Sequence, residues 1–195
     1  MLSRSRTGSS MLKTFLDSHP NIHAEWEILN NLKGRNYKDV LGKAFCKEPY
    51  YIKAKGFKIF YYHPFDDESN DIWVDLVTME NLWVIHLKRR NIFHTLISYK
   101  IASNQDVWVD TSSNRKNSKN KAVTFTAKEL EEGFKQTRKW EKCGDEMFKD
   151  HPLVSVYYED LINDPEGTFS KITDLFDVQY VQPKTYLRKQ NPEIP

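Results

Sequence analysis

The chain has 195 residues, 39% of them apolar and 13% aromatic, with 29 Lys and Arg against 27 Asp and Glu for a formal net charge of +2. That length suits one domain with a buried core, and the near balance of charge sets aside a disordered tail and gives no reason to expect a nucleic acid partner. Cys46 and Cys143 have no CxxC partner, which excludes a zinc ribbon or disulfide framework and suits a reducing, cytoplasmic compartment; no run of about 18 apolar residues spans a bilayer, and the opening MLSRSRTGSS lacks the apolar stretch of a signal peptide.

In chain order, residues 10–18 carry Met11, Leu12, Phe15 and Leu16 at helical spacing and predict a short helix that stops before His19-Pro20, since proline restricts the residue preceding it. Residues 25–32 predict a second helix, and 33–49 a mixture of loop and short helix. GFKIFYY at 56–62 predicts a buried strand, and LWVIHL at 82–87 a clearer one, being short, β-rich and bounded by polar residues. Residues 91–102 place Ile92, Phe93, Leu96, Ile97 and Ile101 at the spacing of a helix that faces the sheet. Residues 111–121 are rich in Ser, Asn and Lys with no apolar face and predict a mobile loop long enough to act as a lid. A helix at 127–149, a strand at 153–157 and a last helix at 165–176 follow, the last entered through Asn163-Asp164-Pro165, which supplies cap and first-turn residues. Strands alternating with helices imply one α/β domain over 1–195, with a mostly parallel sheet flanked by helices and no internal repeat.

Two segments carry the chemistry. In Arg6-Thr7-Gly8-Ser9-Ser10 the glycine permits a tight turn, and the helix that follows presents free N–H groups beside two hydroxyls and a guanidinium, a combination suited to a phosphate. A basic tail before a serine-capped helix would have the same composition. The GxxxxGK[ST] loop of nucleotide triphosphatases is absent, so an ordinary ATPase is disfavoured. The second segment is Lys88-Arg89-Arg90-Asn91, where cations emerge at the carboxyl edge of the sheet, the edge at which open α/β folds bind ligands. Arg90 at the strand end and Ser98 two helical turns on can converge on one phosphate. A cation cluster there opposes the helix macrodipole, which a bound anion would explain; a basic helix start with a surface serine is the plain alternative.

The ordered pair of segments resembles the family of sulfotransferases that use 3′-phosphoadenosine 5′-phosphosulfate (PAPS). Arg6-Thr7-Gly8-Ser9-Ser10-Met11-Leu12 is similar to that family's 5′-phosphosulfate loop, and Arg90-Asn91 with Ser98 to its 3′-phosphate motif. The resemblance continues through Ser18-His19-Pro20-Asn21-Ile22, Gly56-Phe57-Lys58, Val84-Ile85-His86-Leu87, Tyr158-Glu159-Asp160-Leu161 and Asp164-Pro165, and is nearest to bacterial carbohydrate sulfotransferases of the nodulation-factor type. It implies a three-layer P-loop-like fold, PAPS as donor with the bisphosphate PAP as product, no metal, and no membrane partner. It also implies that Arg6, Thr7, Gly8, Ser9 and Ser10 hold the 5′-phosphate, with Arg6 offsetting charge on the bridging oxygen, and that Arg90 and Ser98 grip the 3′-phosphate. Tyr158 is implied as an adenine neighbour, or else as a core tyrosine at its strand end, and Arg188-Lys189 as a closing segment. The family feeds its loop from a full strand, whereas only Met1, Leu2 and Ser3 precede Arg4, so a short or trimmed first strand is expected.

Sulfuryl transfer demands an in-line approach and positioned charge, and the acceptor hydroxyl needs a general base within hydrogen-bond reach. By the resemblance Glu27 is that base, with Glu25 and His23 as alternatives. His63 and Lys58 can also face the site, and His86, inside an apolar strand, reads as a satisfied core histidine. The acceptor is expected to be a small molecule or carbohydrate, with its pocket formed by loops at 37–51, 64–70 and 103–121, where Tyr50, Tyr51 and Trp108 suit stacking on a sugar ring. The rival readings are a small P-loop nucleotide kinase and a non-catalytic PAP-binding module.

Overall fold

The structure, a computed structural model, describes residues 1–46, 49–69, 71–108, 122–185 and 187. The expected loop at 111–121 and the segment holding Arg188 and Lys189 lie outside the described residues.

The run VIHLK is buried at every position and forms strand β5 (Val84–Lys88); Val84 packs toward one face, Ile85 and Leu87 toward the other, as in a strand covered on both sides. It belongs to a four-stranded sheet of order β4-β1-β5-β6, with β1 (Leu2–Ser3), β4 (Ile59–Phe60) and β6 (Leu153–Tyr157), in which every pairing is parallel. The short first strand is central: Leu2 stands between Ile59 and His86 in register. A separate parallel pair joins β2 (Ile22–Glu25) to β3 (Ala54–Phe57).

Helices cover the sheets. Leu12, Phe15 and Leu16 of α1 (Ser9–Asp17) pack with Ile85, Leu87 and Val156 on one face, joined by Phe169 and Ile172 of α7 (Pro165–Leu175) and Leu161 of α6 (Tyr158–Asn163). On the other face Leu2, Ile59 and Val84 meet Val40 and Leu41 of α2 (Tyr37–Ala44), Ile72 and Leu76 of α3 (Asp71–Thr78) and Phe148. The long α5 (Ala127–Met147) starts from a Thr126/Glu129 capping box and comes close to the sheet at Gly144, where an added Cβ would lie 2.9 Å from Leu2 Cδ2 and 3.0 Å from His86 Cε1. Ile92, Leu96, Ile101 and Ala102 of α4 (Ile92–Gln105) are buried; Phe93, expected on the same face, is exposed. No helix among the described residues is long and apolar enough to cross a membrane, and both cysteines are free and exposed.

Three expectations are corrected. The helix predicted at 25–32 is absent: residues 22–25 alternate buried and half-buried and pair as β2, and turns follow, so period-two burial wins over helical spacing. The single strand predicted at 56–62 is two strands in different sheets. The chain crosses at Lys58, whose N–H donates to Glu25 O while the N–H of Ile59 donates to Met1 O. The helices α3 and α6 stand where no helix is predicted, each too short for its apolar spacing to register before packing contributes.

His86 is the satisfied core histidine expected. Its Nδ1 lies 2.8 Å from Asp145, which only accepts, so Nδ1 carries the proton and Nε2 accepts from Tyr61 Oη at 2.7 Å. Burial, then the Lys88 ammonium, pushes the ring down to about 4, and burial does the same to His63. Both rings therefore stay neutral in the fold where the unfolded chain, titrating near 6.5, takes up protons. Stability is present above about pH 6.5 and is lost as pH falls toward 4, on the order of 2 kcal/mol per histidine by pH 5. A urea midpoint measured at pH 7 and pH 5 is expected to fall clearly; equal midpoints would exclude neutral burial of the two rings.

Candidate functional site

Every strand of the main sheet delivers a site residue just past its carboxyl end: Arg4 to Gly8 after β1, His63 after β4, Arg89 and Arg90 after β5, and Tyr158 after β6. Gly8 caps α1 at φ +85°, a left-handed conformation that only glycine adopts without strain, and having no side chain it leaves the first-turn amides to another acceptor. Tyr158 closes over it, so that an added Cβ would stand 2.4 Å from Tyr158 Cδ2. Thr7 turns inward and donates to Arg4 O at 2.7 Å; the buried Arg4 donates to Thr137 and lies between the rings of Tyr99 and Trp140. These contacts hold the loop rigid from below.

Arg6, itself at φ +68°, reaches across to α4, where its Nε donates to Ser98 Oγ at 2.9 Å and its Nη1 to Trp108 O at 2.7 Å. Arg89 Nη1 donates to Arg6 O at 3.3 Å, and its guanidinium carbon stands 4.5 Å from the centre of the Tyr158 ring. Burial, with the Arg89 cation adding to it, brings Arg6 down to about 10. The two predicted anion segments therefore meet, through Arg6 and Ser98.

The predicted Arg90 points elsewhere. Its guanidinium makes a two-pronged pair with Asp160, at 2.6 and 2.8 Å, and stacks 4.1 Å from the Tyr157 ring centre at the surface. Glu159 meanwhile accepts from the N–H groups of Arg90 and Asn91 at 3.0 and 3.1 Å. The Tyr158-Glu159-Asp160 run thus clamps the end of β5 residue by residue, and Tyr158 sits against glycine and arginine rather than in a core. Arg89 is the cation that faces the loop. It is visible in the sequence only as one of a basic run, although strand alternation would have found it, because Ile85, Leu87 and residue 89 share the face that α1 covers.

On the other side of the loop lies Lys58, 2% exposed, whose Nζ donates to Ser10 Oγ at 3.0 Å and pairs with Glu27 Oε1 at 2.8 Å. Burial lowers its pKa against the opposing pull of Glu27, and Lys13 and Arg6 lower it further. The Trp26 ring lies between Lys58 and Lys13, whose ammonium groups are 4.7 and 4.8 Å from its centre, and Lys13 in turn pairs with Asp17 at 3.1 Å. Of the three carboxylate and histidine alternatives, Glu27 is brought to the loop, while His23 and Glu25 pair with each other at 3.3 Å on β2. His63 is buried beside Phe60, its Nδ1 accepting from the Phe60 N–H at 3.3 Å. Among the described residues no group of three or more His, Cys, Asp or Glu side chains could hold a metal ion.

Tyr50 and Tyr51 are exposed and stack edge-on with each other. No protein-family model matches this chain, and no curated protein matches it in sequence.

The glycine contact yields a stability test. Gly8→Ala combines left-handed strain with a clash against Tyr158 and is expected to destabilise by about 2 kcal/mol or more. Adding Tyr158→Ala should return part of that loss; strict additivity in a urea double-mutant cycle would show that the ring does not bear on the loop.

Proposed function

We propose that this chain is a PAPS-dependent sulfotransferase of P-loop-like fold that moves a sulfuryl group onto an acceptor hydroxyl, with a carbohydrate or similar metabolite as acceptor. The observation that carries the reading is Lys58, which touches Ser10 of the anion loop and Glu27 at once. A phosphate-binding loop alone needs no carboxylate beside it; a loop that serves transfer to a hydroxyl does.

The residues present fit such a donor. Gly8 at the mouth of α1 leaves amides to a 5′-phosphate, flanked by Ser9, Ser10, Arg6 and Lys58, while Ser98 and Arg89, both in contact with Arg6, and Arg90 on the neighbouring face would supply a 3′-phosphate site. When bound, the donor supplies an activated sulfuryl group whose bond to the 5′-phosphate oxygen breaks. Arg6 and Lys58, which flank the loop, offset the charge that develops on that oxygen. Glu27 accepts the acceptor's hydroxyl proton as the oxygen–sulfur bond forms. Arg6 must loosen its hold on Ser98 for both groups to serve a nucleotide, and Arg90 must leave Asp160 before it can reach one. A cytoplasmic location belongs to the same proposal and rests on the two unbridged cysteines.

Calorimetric titration without added metal tests the donor site. PAP should bind more tightly than ATP or adenosine 5′-phosphate; preference for ATP would favour a kinase, and no binding would remove the proposal. Arg89→Ala should weaken PAP by about tenfold or more, since one charge-assisted hydrogen bond is worth roughly 1.5–3 kcal/mol. A larger loss in Arg90→Ala would assign the 3′-phosphate to Arg90 instead.

Glu27→Gln tests the base separately. The expected outcome is PAP affinity within about twofold of wild type and turnover lower by roughly 10²–10⁴. Unchanged turnover would move the base to another group.

A further inference from the structure

The Lys58 ammonium has three N–H bonds to place, and its polar partners are Ser10 Oγ at 3.0 Å and Glu27 Oε1 at 2.8 Å. Two rings also face it, with the centres of Trp26 and Phe60 4.7 and 5.6 Å from the nitrogen. The same Trp26 ring lies 4.8 Å from the buried Lys13 ammonium of α1. We propose that Trp26 is a positioning residue: its electron-rich face keeps Lys58 charged and held between the anion loop and Glu27, without cancelling the charge that a bound anion needs. The proposal rests on the sulfotransferase reading for what the held cation serves, whereas the contact between ring and cation stands apart from it.

The charges around Lys58 explain why a ring suits this place. Burial favours loss of its proton, and Lys13 from α1 and Arg6 from the loop after β1 act in the same direction, while Glu27 opposes them. His63, after β4, stays neutral and adds no charge. A carboxylate at position 26 would hold the proton on Lys58, but together with Glu27 it would turn the local charge negative and repel an anion. An aliphatic side chain there would deepen the burial and offer the ammonium nothing. An indole face attracts a cation through its quadrupole and carries no net charge, so the field of Lys58 at the loop survives.

Local structure fixes the ring where it is. Trp26 directly follows β2, and the N–H of Ile28 donates to Trp26 O at 3.0 Å in the turn that comes next. Asp17 accepts from Lys13 Nζ at 3.1 Å and from the N–H of Ala24 at 3.4 Å, which ties the last turn of α1 to β2 on the approach to the ring. Lys13 thus joins Trp26 to α1 while Lys58 joins it to the crossing between β3 and β4. Because Glu27 is the next residue in the chain, the placement of the ring also limits where the Glu27 carboxylate can stand.

Tryptophans carrying one, two or three ring fluorines, inserted at position 26, test this, because fluorine withdraws electron density from the face while nearly keeping the shape of the ring. Their melting temperatures should stay near wild type, which separates attraction from packing. The pH at which the Lys58 ¹³Cε signal titrates, assigned through Lys58→Arg, should move down stepwise with fluorine number, since a weaker face holds the charged form less well. PAP affinity measured by calorimetry should fall in the same order, by about tenfold across the series. Trp26→Leu should do at least as much, and Trp26→Phe should restore part of the loss. A Lys58 titration that does not move with fluorine number overturns the proposal whatever PAP does, and a titration that moves while PAP affinity stays constant removes the positioning role. Should wild type fail to bind PAP, the sulfotransferase reading falls by itself, and the titration in the free protein still decides the contact: stepwise movement upholds it and a flat series removes it.

Discussion

The rest of the structure is arranged around one electrostatic constraint: Arg6, Arg89 and Lys58 are gathered at one sheet edge, each partly or wholly withdrawn from water. Like charges in such a place repel, and burial penalises each of them, as the lowered pKa values of Arg6, Arg89 and Lys58 all register. The fold tolerates this by giving each cation a polar neighbour reached from a distant part of the chain. Lys58 has Glu27 and Ser10, Arg6 has Ser98 and the Trp108 carbonyl, and Arg89 has the Arg6 carbonyl and the Tyr158 ring. Three cations gathered at the carboxyl edge of the sheet favour an anion there, and their position above the first turn of α1 adds the helix dipole to the same effect.

Backbone topology makes that gathering possible. Lys58 sits at the one step where the chain leaves the β2–β3 pair and joins the main sheet, with its amide bonded to Glu25 O and the next amide to Met1 O. The side chain of a residue at such a crossing cannot follow the alternation of either sheet, and here it goes under the loop. The same step brings the end of β2, and with it Glu27, beside α1. A single continuous strand through 56–60 would have left Glu27 and Ser10 without a common neighbour.

The two faces of the end of β5 show a division of labour among adjacent arginines. Arg89 continues the parity of Ile85 and Leu87 and turns toward the loop, whereas Arg90 turns outward and is held by Asp160 and Tyr157. Glu159 between their partners takes the amides that begin α4. Tyr158, Glu159 and Asp160 therefore act on three different parts of one strand end, which gives that short run a mechanical meaning independent of any nucleotide.

The alternation of helices and parallel strands, the helix over residues 9–17, the buried strand ending in cations and the capped helices near 127 and 165 were all legible in the residues, because periodicity, caps and glycine act locally. So was the glycine turn that opens the first helix; the contact of Arg6 with Ser98 was not, because the sequence pairs Ser98 with Arg90 and 92 residues separate it from Arg6. The break of 54–60 into two strands was not legible, since Ala, Phe and Ile are apolar whichever sheet they join, nor was β2, whose four residues offer two periods of evidence at most. The choice of Arg89 over Arg90 as the inward cation, and the pairing of Glu27 with Lys58 and of Glu25 with His23, were decided only in three dimensions. The physical reason is the same each time: a side chain's partner depends on which face its backbone presents after the sheets have formed, and that is a property of packing between distant segments rather than of any neighbour in the chain.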